Sequence, residues 1–157
     1  MARLSVSEAQ EEDLKSPGVC QQEFPIILMA DDDFEDRLLV KKALGKLKNC
    51  EAHFVEDGEK LLDYLNRRRD YTNPELAPRP ALILLDLNMP KKPGLEALAE
   101  IKAAPGLQAI PVIIFTTSNR EDHMNACRNA GANGYMIKPC SFAHLVETLG
   151  QLVRWLG

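Results

Sequence analysis

From Pro25 onward, apolar residues fall into short unbroken blocks separated by longer amphipathic stretches. Residues 26–30, 81–85 and 112–115 are apolar at every position, the pattern of strands buried on both faces. Residues 51–55 and 134–137 read as two further short strands. Between the blocks, apolar side chains recur at helical spacing. Leu39, Val40, Ala43, Leu44 and Leu47 form one stripe over 36–47. Leu61, Leu62 and Leu65 mark a helix starting near Gly58, and residues 94–103 a helix stopped by Pro105-Gly106. A weaker helix over 119–130 is closed by Gly131. The last helix carries Phe142, Leu145, Val146, Leu149, Leu152, Val153 and Leu156 behind the N-cap Ser141. Five strand–helix pairs with continuously apolar strands predict an α/β fold, a parallel sheet covered on both faces and doubly wound by right-handed crossovers. Residues 70–80, with Pro74, Pro78 and Pro80, are expected to run as an extended surface loop.

Composition narrows the function classes. The chain has 157 residues, one domain's worth, and a net charge of −4. That balance supplies no basic surface for nucleic acid. No apolar run is long enough to span a membrane, and the first residues lack a secretory core. Cys20, Cys50, Cys127 and Cys140 lie far apart with no Cys-x-x-Cys pair, which argues against zinc and for a reducing cytoplasm. Residues 1–24 are polar, with Glu8, Glu11, Glu12, Asp13 and Glu23 against Arg3 and Lys15. They are expected to form a flexible arm ahead of a folded domain over 25–157. Arg67-Arg68-Arg69 reads as a solvated helix end, and His53, His123 and His144 as ordinary surface or half-buried residues.

In open α/β sheets, sites lie beyond the carboxyl ends of the strands. There the first strand ends in Asp31-Asp32-Asp33, the third in Asp86-Leu87-Asn88, the fourth in Thr116-Thr117-Ser118 and the fifth in Lys138-Pro139. Asp33 and Asp36 suit the start of the first helix. Carboxylates converging at about 4 Å repel by roughly 4 kcal/mol per pair at an effective dielectric near 20. A hard divalent cation such as Mg²⁺ is the natural counter-charge, and Lys138 supplies another. A free carboxylate, a hydroxyl and an ammonium around such an ion can receive a phosphoryl group, with Asp86 as the nucleophile.

These motifs resemble the receiver domain of two-component response regulators. The matching pieces are Ile-Leu-Met-Ala-Asp-Asp-Asp, Leu-Ile-Leu-Leu-Asp-Leu-Asn-Met-Pro with Gly94 following, Pro-Val-Ile-Ile-Phe-Thr-Thr and Gly-Tyr-Met-Ile-Lys-Pro, spanning residues 26–139 in the family's order. The resemblance implies a flavodoxin-like five-stranded sheet in the order 2-1-3-4-5 with five helices. It implies that Asp86 accepts a phosphoryl group from a sensor histidine kinase, and that Mg²⁺ is held by Asp31, Asp32, Asp86 and the backbone carbonyl of Asn88. Asp31 would act partly through water. Thr116 and Lys138 would engage the phosphoryl oxygens, Tyr135 would be the aromatic switch partner of Thr116, and the Lys138–Pro139 bond would be cis. The face formed by the fourth helix, fifth strand and fifth helix would respond.

Only Gly157 follows the last helix, so a stand-alone receiver acting through a protein contact is expected. The long proline-bearing loop and Lys91-Lys92-Pro93-Gly94-Leu95-Glu96 resemble the regulators associated with phytochromes, so a light-sensing kinase would be the partner. A terminal switch and a phosphorelay shuttle both remain open. So do two roles for Trp155, a flanking contact or part of a homodimer face, and plain strand core for Tyr135. A haloacid dehalogenase-type phosphatase fits poorly, because its Asp-x-Asp would need a general acid where Asn88 stands. A flavodoxin-like redox protein fits poorly too, because three aspartates would repel a flavin phosphate. A phosphoacceptor switch rather than an enzyme is therefore expected.

Overall fold

The computed structural model describes residues 24–156, so the expected amino-terminal arm, apart from Phe24, lies outside the described residues. Five strands alternate with five α-helices: β1 (Ile26–Ala30), α1 (Phe34–Leu47), β2 (Glu51–Val55), α2 (Gly58–Asn66), β3 (Leu82–Leu85), α3 (Gly94–Ala103), β4 (Val112–Thr116), α4 (Glu121–Asn129), β5 (Gly134–Ile137) and α5 (Phe142–Leu156). The strands form one parallel sheet in the order β2-β1-β3-β4-β5, the doubly wound, flavodoxin-like arrangement expected.

Side chains alternate across the central strands into two cores. Leu28, Ala30, Ile83, Leu85, Val112 and Ile114 pack with α2, α3 and α4 through Leu61, Leu98, Ile101 and Cys127. On the opposite face, Ile27, Met29, Leu82, Leu84, Ile113 and Phe115 pack with α1 and α5 through Val40, Leu44, Leu145 and Leu149. The continuously apolar strands are therefore the three central ones. At the edges β2 and β5 are only partly covered, because each has a neighbour on one side alone.

Register decides where the strand ends meet. Ala30 pairs with Leu85, Leu85 with Ile114, and Thr116 with Ile137. Asp31 and Asp86 therefore leave the sheet side by side, the Asp86 N–H donating to the Ala30 carbonyl at 3.0 Å. The Lys138 N–H donates to the Thr116 carbonyl at 2.8 Å and draws the fifth strand's end to the same rim.

Element boundaries differ from expectation for local reasons. α1 begins two residues before the apolar stripe, because Asp33 caps it by accepting from the N–H groups of Glu35 and Asp36. α4 is shorter than its pattern, since Arg120 at its N-cap position provides no side-chain cap. Within 70–80 the chain is not simply an extended surface loop. A single 3₁₀ turn (Arg69–Tyr71) opens it, Ala77 is buried, and the Tyr64 hydroxyl donates to the Pro78 carbonyl at 2.9 Å. No peptide bond among the described residues is cis, so Lys138–Pro139 is trans, the ordinary form of an X-Pro bond, where the resemblance implied cis. No helix among the described residues is long and apolar enough to cross a membrane.

Gly94 ties the sheet edge to α3. Its N–H donates to the Leu87 carbonyl at 3.0 Å, and a Cβ added there would meet the Asp86 carbonyl oxygen at 2.1 Å. Backbone, not a movable side chain, occupies that space. Gly94→Ala is expected to destabilise the fold by about 2 kcal/mol. Urea unfolding measures this, and an unchanged midpoint would show that α3 does not rest on the Asp86 backbone.

Candidate functional site

The rim of the sheet gathers acids from two strands. Ligand oxygens of Asp31, Asp32 and Asp86 lie within 4.8 Å of one another. Asp31 and Asp86 are buried, and Asp32 is exposed. The two turns differ in how they hold their acids. Asp31 Oδ1 accepts from the Asp33 N–H at 2.9 Å, and the Arg37 guanidinium donates to the Asp31 carbonyl at 2.7 Å. Asp86 Oδ1 accepts from the Leu87 N–H at 2.9 Å. Asn88 lies exposed two residues later, and its carbonyl accepts no hydrogen bond from the described residues.

Lys138 enters from β5. Its ammonium donates to Asp31 Oδ2 and to Asp36 Oδ2, both at 2.7 Å, and stands 3.7 Å from Asp86 Oδ2. Burial alone would lower its pKa. The hydrogen bonds to Asp31 and Asp36 and the charge of Asp86 outweigh that and hold it above the ordinary lysine value. Burial pushes Asp31 up, and the hydrogen bond from Lys138 only partly opposes it. Burial raises Asp86 as well, helped by the charge of Asp31 and opposed by Lys138 and the Thr116 hydroxyl. Three carboxylates thus share one ammonium.

The donor set answers to a hard divalent cation. All the converging atoms are oxygens, Asp32 makes no side-chain hydrogen bond among the described residues, and the negative charge exceeds what Lys138 balances. Asp31 has both oxygens engaged, so it would meet such an ion in competition with Lys138.

Thr116 is fully buried at the end of β4, next to the turn that leads to α4. Its Oγ1 lies 3.5 Å from the Ser118 N–H. Ser118 is held in three further ways: its carbonyl accepts from the Tyr135 hydroxyl at 2.9 Å, its Oγ lies 2.6 Å from His123 Nδ1, and the Arg120 N–H donates to the same Oγ at 3.3 Å. Tyr135 packs against the core beside α4, and its hydroxyl reaches the β4–α4 turn. His53 contacts Glu51 and the Tyr64 hydroxyl, and His144 is exposed, so neither joins the rim. Trp155 is exposed on α5.

Every predicted rim residue except Tyr135 stands at the carboxyl edge, and Tyr135 touches its β4–α4 turn. Two contacts were missed. Asp36 is a helix-start acid, as its position suits, and also a full partner of Lys138, because the first turn of α1 hangs over the end of β1. The His123–Ser118 contact joins the first turn of α4 to the loop before it and leaves no mark in the apolar pattern.

Comparison with known proteins agrees with this fold. The response regulator receiver domain matches residues 27–150. The chain is 36% identical over 147 residues to the probable methanogenesis regulatory protein FilR2 of Methanothrix harundinacea, covering 92% of each. It is 41% identical over 114 residues to response regulator Rcp1 of Synechocystis, covering 72% of this chain and 76% of Rcp1. The structure of Mn²⁺-bound Rcp1 superposes with a TM-score of 0.74 at 37% identity, covering 84% of this chain and 94% of that one. The phosphorylated cyanobacterial phytochrome response regulator RcpA superposes with a TM-score of 0.78 at 35% identity, covering 85% and 94%.

Raised carboxyl pKa values carry a stability sign. A carboxyl group whose folded pKa exceeds its unfolded value favours folding most below the unfolded value, and that advantage is lost as pH rises through the folded one. At neutral pH, charged Asp31 and Asp86 therefore work against the fold. Without divalent ions, Asp86→Asn is expected to raise stability at pH 7, with the gain shrinking towards pH 4. Thermal melts across that range check it, and a destabilised variant would contradict the charge balance described.

Proposed function

The chain belongs to the response regulator receiver domain family, and on that footing we propose that Asp86 is its phosphoacceptor. In this reading an Asp86 carboxylate oxygen attacks a phosphohistidine of a sensor kinase. The new O–P bond forms as the N–P bond breaks, and the histidine nitrogen leaves with the electron pair. Asp31, Asp32, Asp86 and the Asn88 carbonyl would hold Mg²⁺, whose charge would neutralise the phosphoryl oxygens and whose open positions would accept them. Lys138 would offer its ammonium to a phosphoryl oxygen, and Thr116 its hydroxyl.

What supports the reading is one observation above all. Asp31, Asp32 and Asp86 converge within 4.8 Å, with the Lys138 ammonium 3.7 Å from the proposed acceptor. Asp86 is buried enough to be shielded, yet it lies beside an exposed acid and an exposed turn.

A phosphoryl group brings about two negative charges and three acceptor oxygens into this crevice. Reversing a 1:99 population needs about 5.5 kcal/mol of differential stabilisation. Two charge-assisted hydrogen bonds, from Thr116 and Lys138, at about 1.5–3 kcal/mol each approach that. The Tyr135 hydroxyl, bonded to Ser118 two residues beyond Thr116, gives the movement of Thr116 a route to β5 and α4. The likeness to RcpA favours a phytochrome as the kinase, and with it a cytoplasmic setting.

Incubation with a small acyl phosphate and Mg²⁺, followed by intact-mass measurement, tests the assignment. One phosphoryl adduct is expected, lost with chelator and with Asp86→Asn. An equally abundant adduct on the Asp86→Asn protein would place the acceptor elsewhere.

A further inference from the structure

Asp36 stands apart from the other acids of the rim. The carboxylates whose oxygens converge are those of Asp31, Asp32 and Asp86, whereas Asp36 is engaged by Lys138, from which it is separated by 102 positions in the chain. An ammonium has three donors. In Lys138 one goes to Asp31 and one to Asp36, both at 2.7 Å, while Asp86 Oδ2, at 3.7 Å, is beyond a direct hydrogen bond.

Asp36 is held in place by the helix that carries it. It sits in the first turn of α1, where its own N–H is held by Asp33 Oδ1 at 3.3 Å and the helix dipole favours negative charge. Its side chain is 31% exposed, against 0% for Asp31.

We propose that Asp36 is a positioning residue that keeps the Lys138 ammonium paired when a divalent cation takes up the carboxylates of Asp31 and Asp86. The proposal rests on the metal-binding part of the reading above. Its logic is competition. Ammonium and cation want the same oxygens of Asp31, and the Lys138 side chain, only 11% exposed, bears a large penalty if left unpaired. Among the described residues, Asp36 is the one carboxylate partner of Lys138 outside the converging triad. With it, the cation can displace Lys138 from Asp31 without stranding a half-dry ammonium. Without it, every oxygen Lys138 could use is one the cation needs.

Titration calorimetry of the full chain with Mn²⁺ alone tests this without any phosphoryl chemistry. The set is wild type, Asp36→Asn, Lys138→Met, the double variant and Glu35→Gln, which removes a neighbouring charge that does not touch Lys138. Asp36→Asn is expected to raise the Mn²⁺ Kd about tenfold when Lys138 is present and less than about twofold in the Lys138→Met background, with Glu35→Gln also below about twofold. Asp36→Ser, compatible with the same helical turn, replaces Asp36→Asn if that variant does not fold. Equal changes in both backgrounds would reduce Asp36 to bulk charge and overturn the proposal, as would no change when Lys138 is present. A wild-type chain that binds no Mn²⁺ would overturn the metal reading itself, a result distinct from binding without coupling.

Discussion

Like-charge crowding at the carboxyl edge of the sheet is the constraint around which the rest of the structure is arranged. Three carboxylates lie within 4.8 Å of one another at the end of a hydrophobic sheet, where water can screen only Asp32. Parallel register makes this unavoidable. Once Ala30 pairs with Leu85, Asp31 and Asp86 must emerge as neighbours. The cores above and below the sheet hold that register, and so they sustain the electrostatic tension.

The protein answers the crowding with one ammonium, bonded to two acids and close to a third. Because Lys138 follows β5 and its N–H is anchored to the end of β4, any pull on the ammonium also bears on the edge strand of the sheet. Tyr135 lies three residues before it, and its hydroxyl grips the β4–α4 turn. A change of charge at Asp86 is therefore in physical contact with the outer side of the molecule through two adjacent strands. A stable hydrophobic packing would not have this property. It follows from leaving charge under-compensated.

Much of this was legible in the residues. β1, β5 and α3 fall where the apolar blocks and the Gly and Pro residues placed them, because continuous burial and chain-breaking residues act locally. The site residues were legible because parallel topology sends all strand ends to one edge. What escaped was long-range or conformational. Asp36 pairs with a residue 102 positions away, which no spacing rule encodes. The start of α1 depends on a side-chain cap rather than on the apolar stripe. The 70–80 segment is pinned by a hydroxyl from α2, and its prolines do not announce that bond.

The central claim, that the acids of β1 and β3 meet around one divalent ion, is tested most directly by crystals grown with Mn²⁺ and measured at a wavelength where manganese scatters anomalously. The account predicts a single strong peak within coordination distance of carboxylate oxygens of Asp32 and Asp86, with Lys138 still paired to Asp36. A map with no peak between those carboxylates at saturating Mn²⁺, or with Asp86 turned away from the ion, would contradict it.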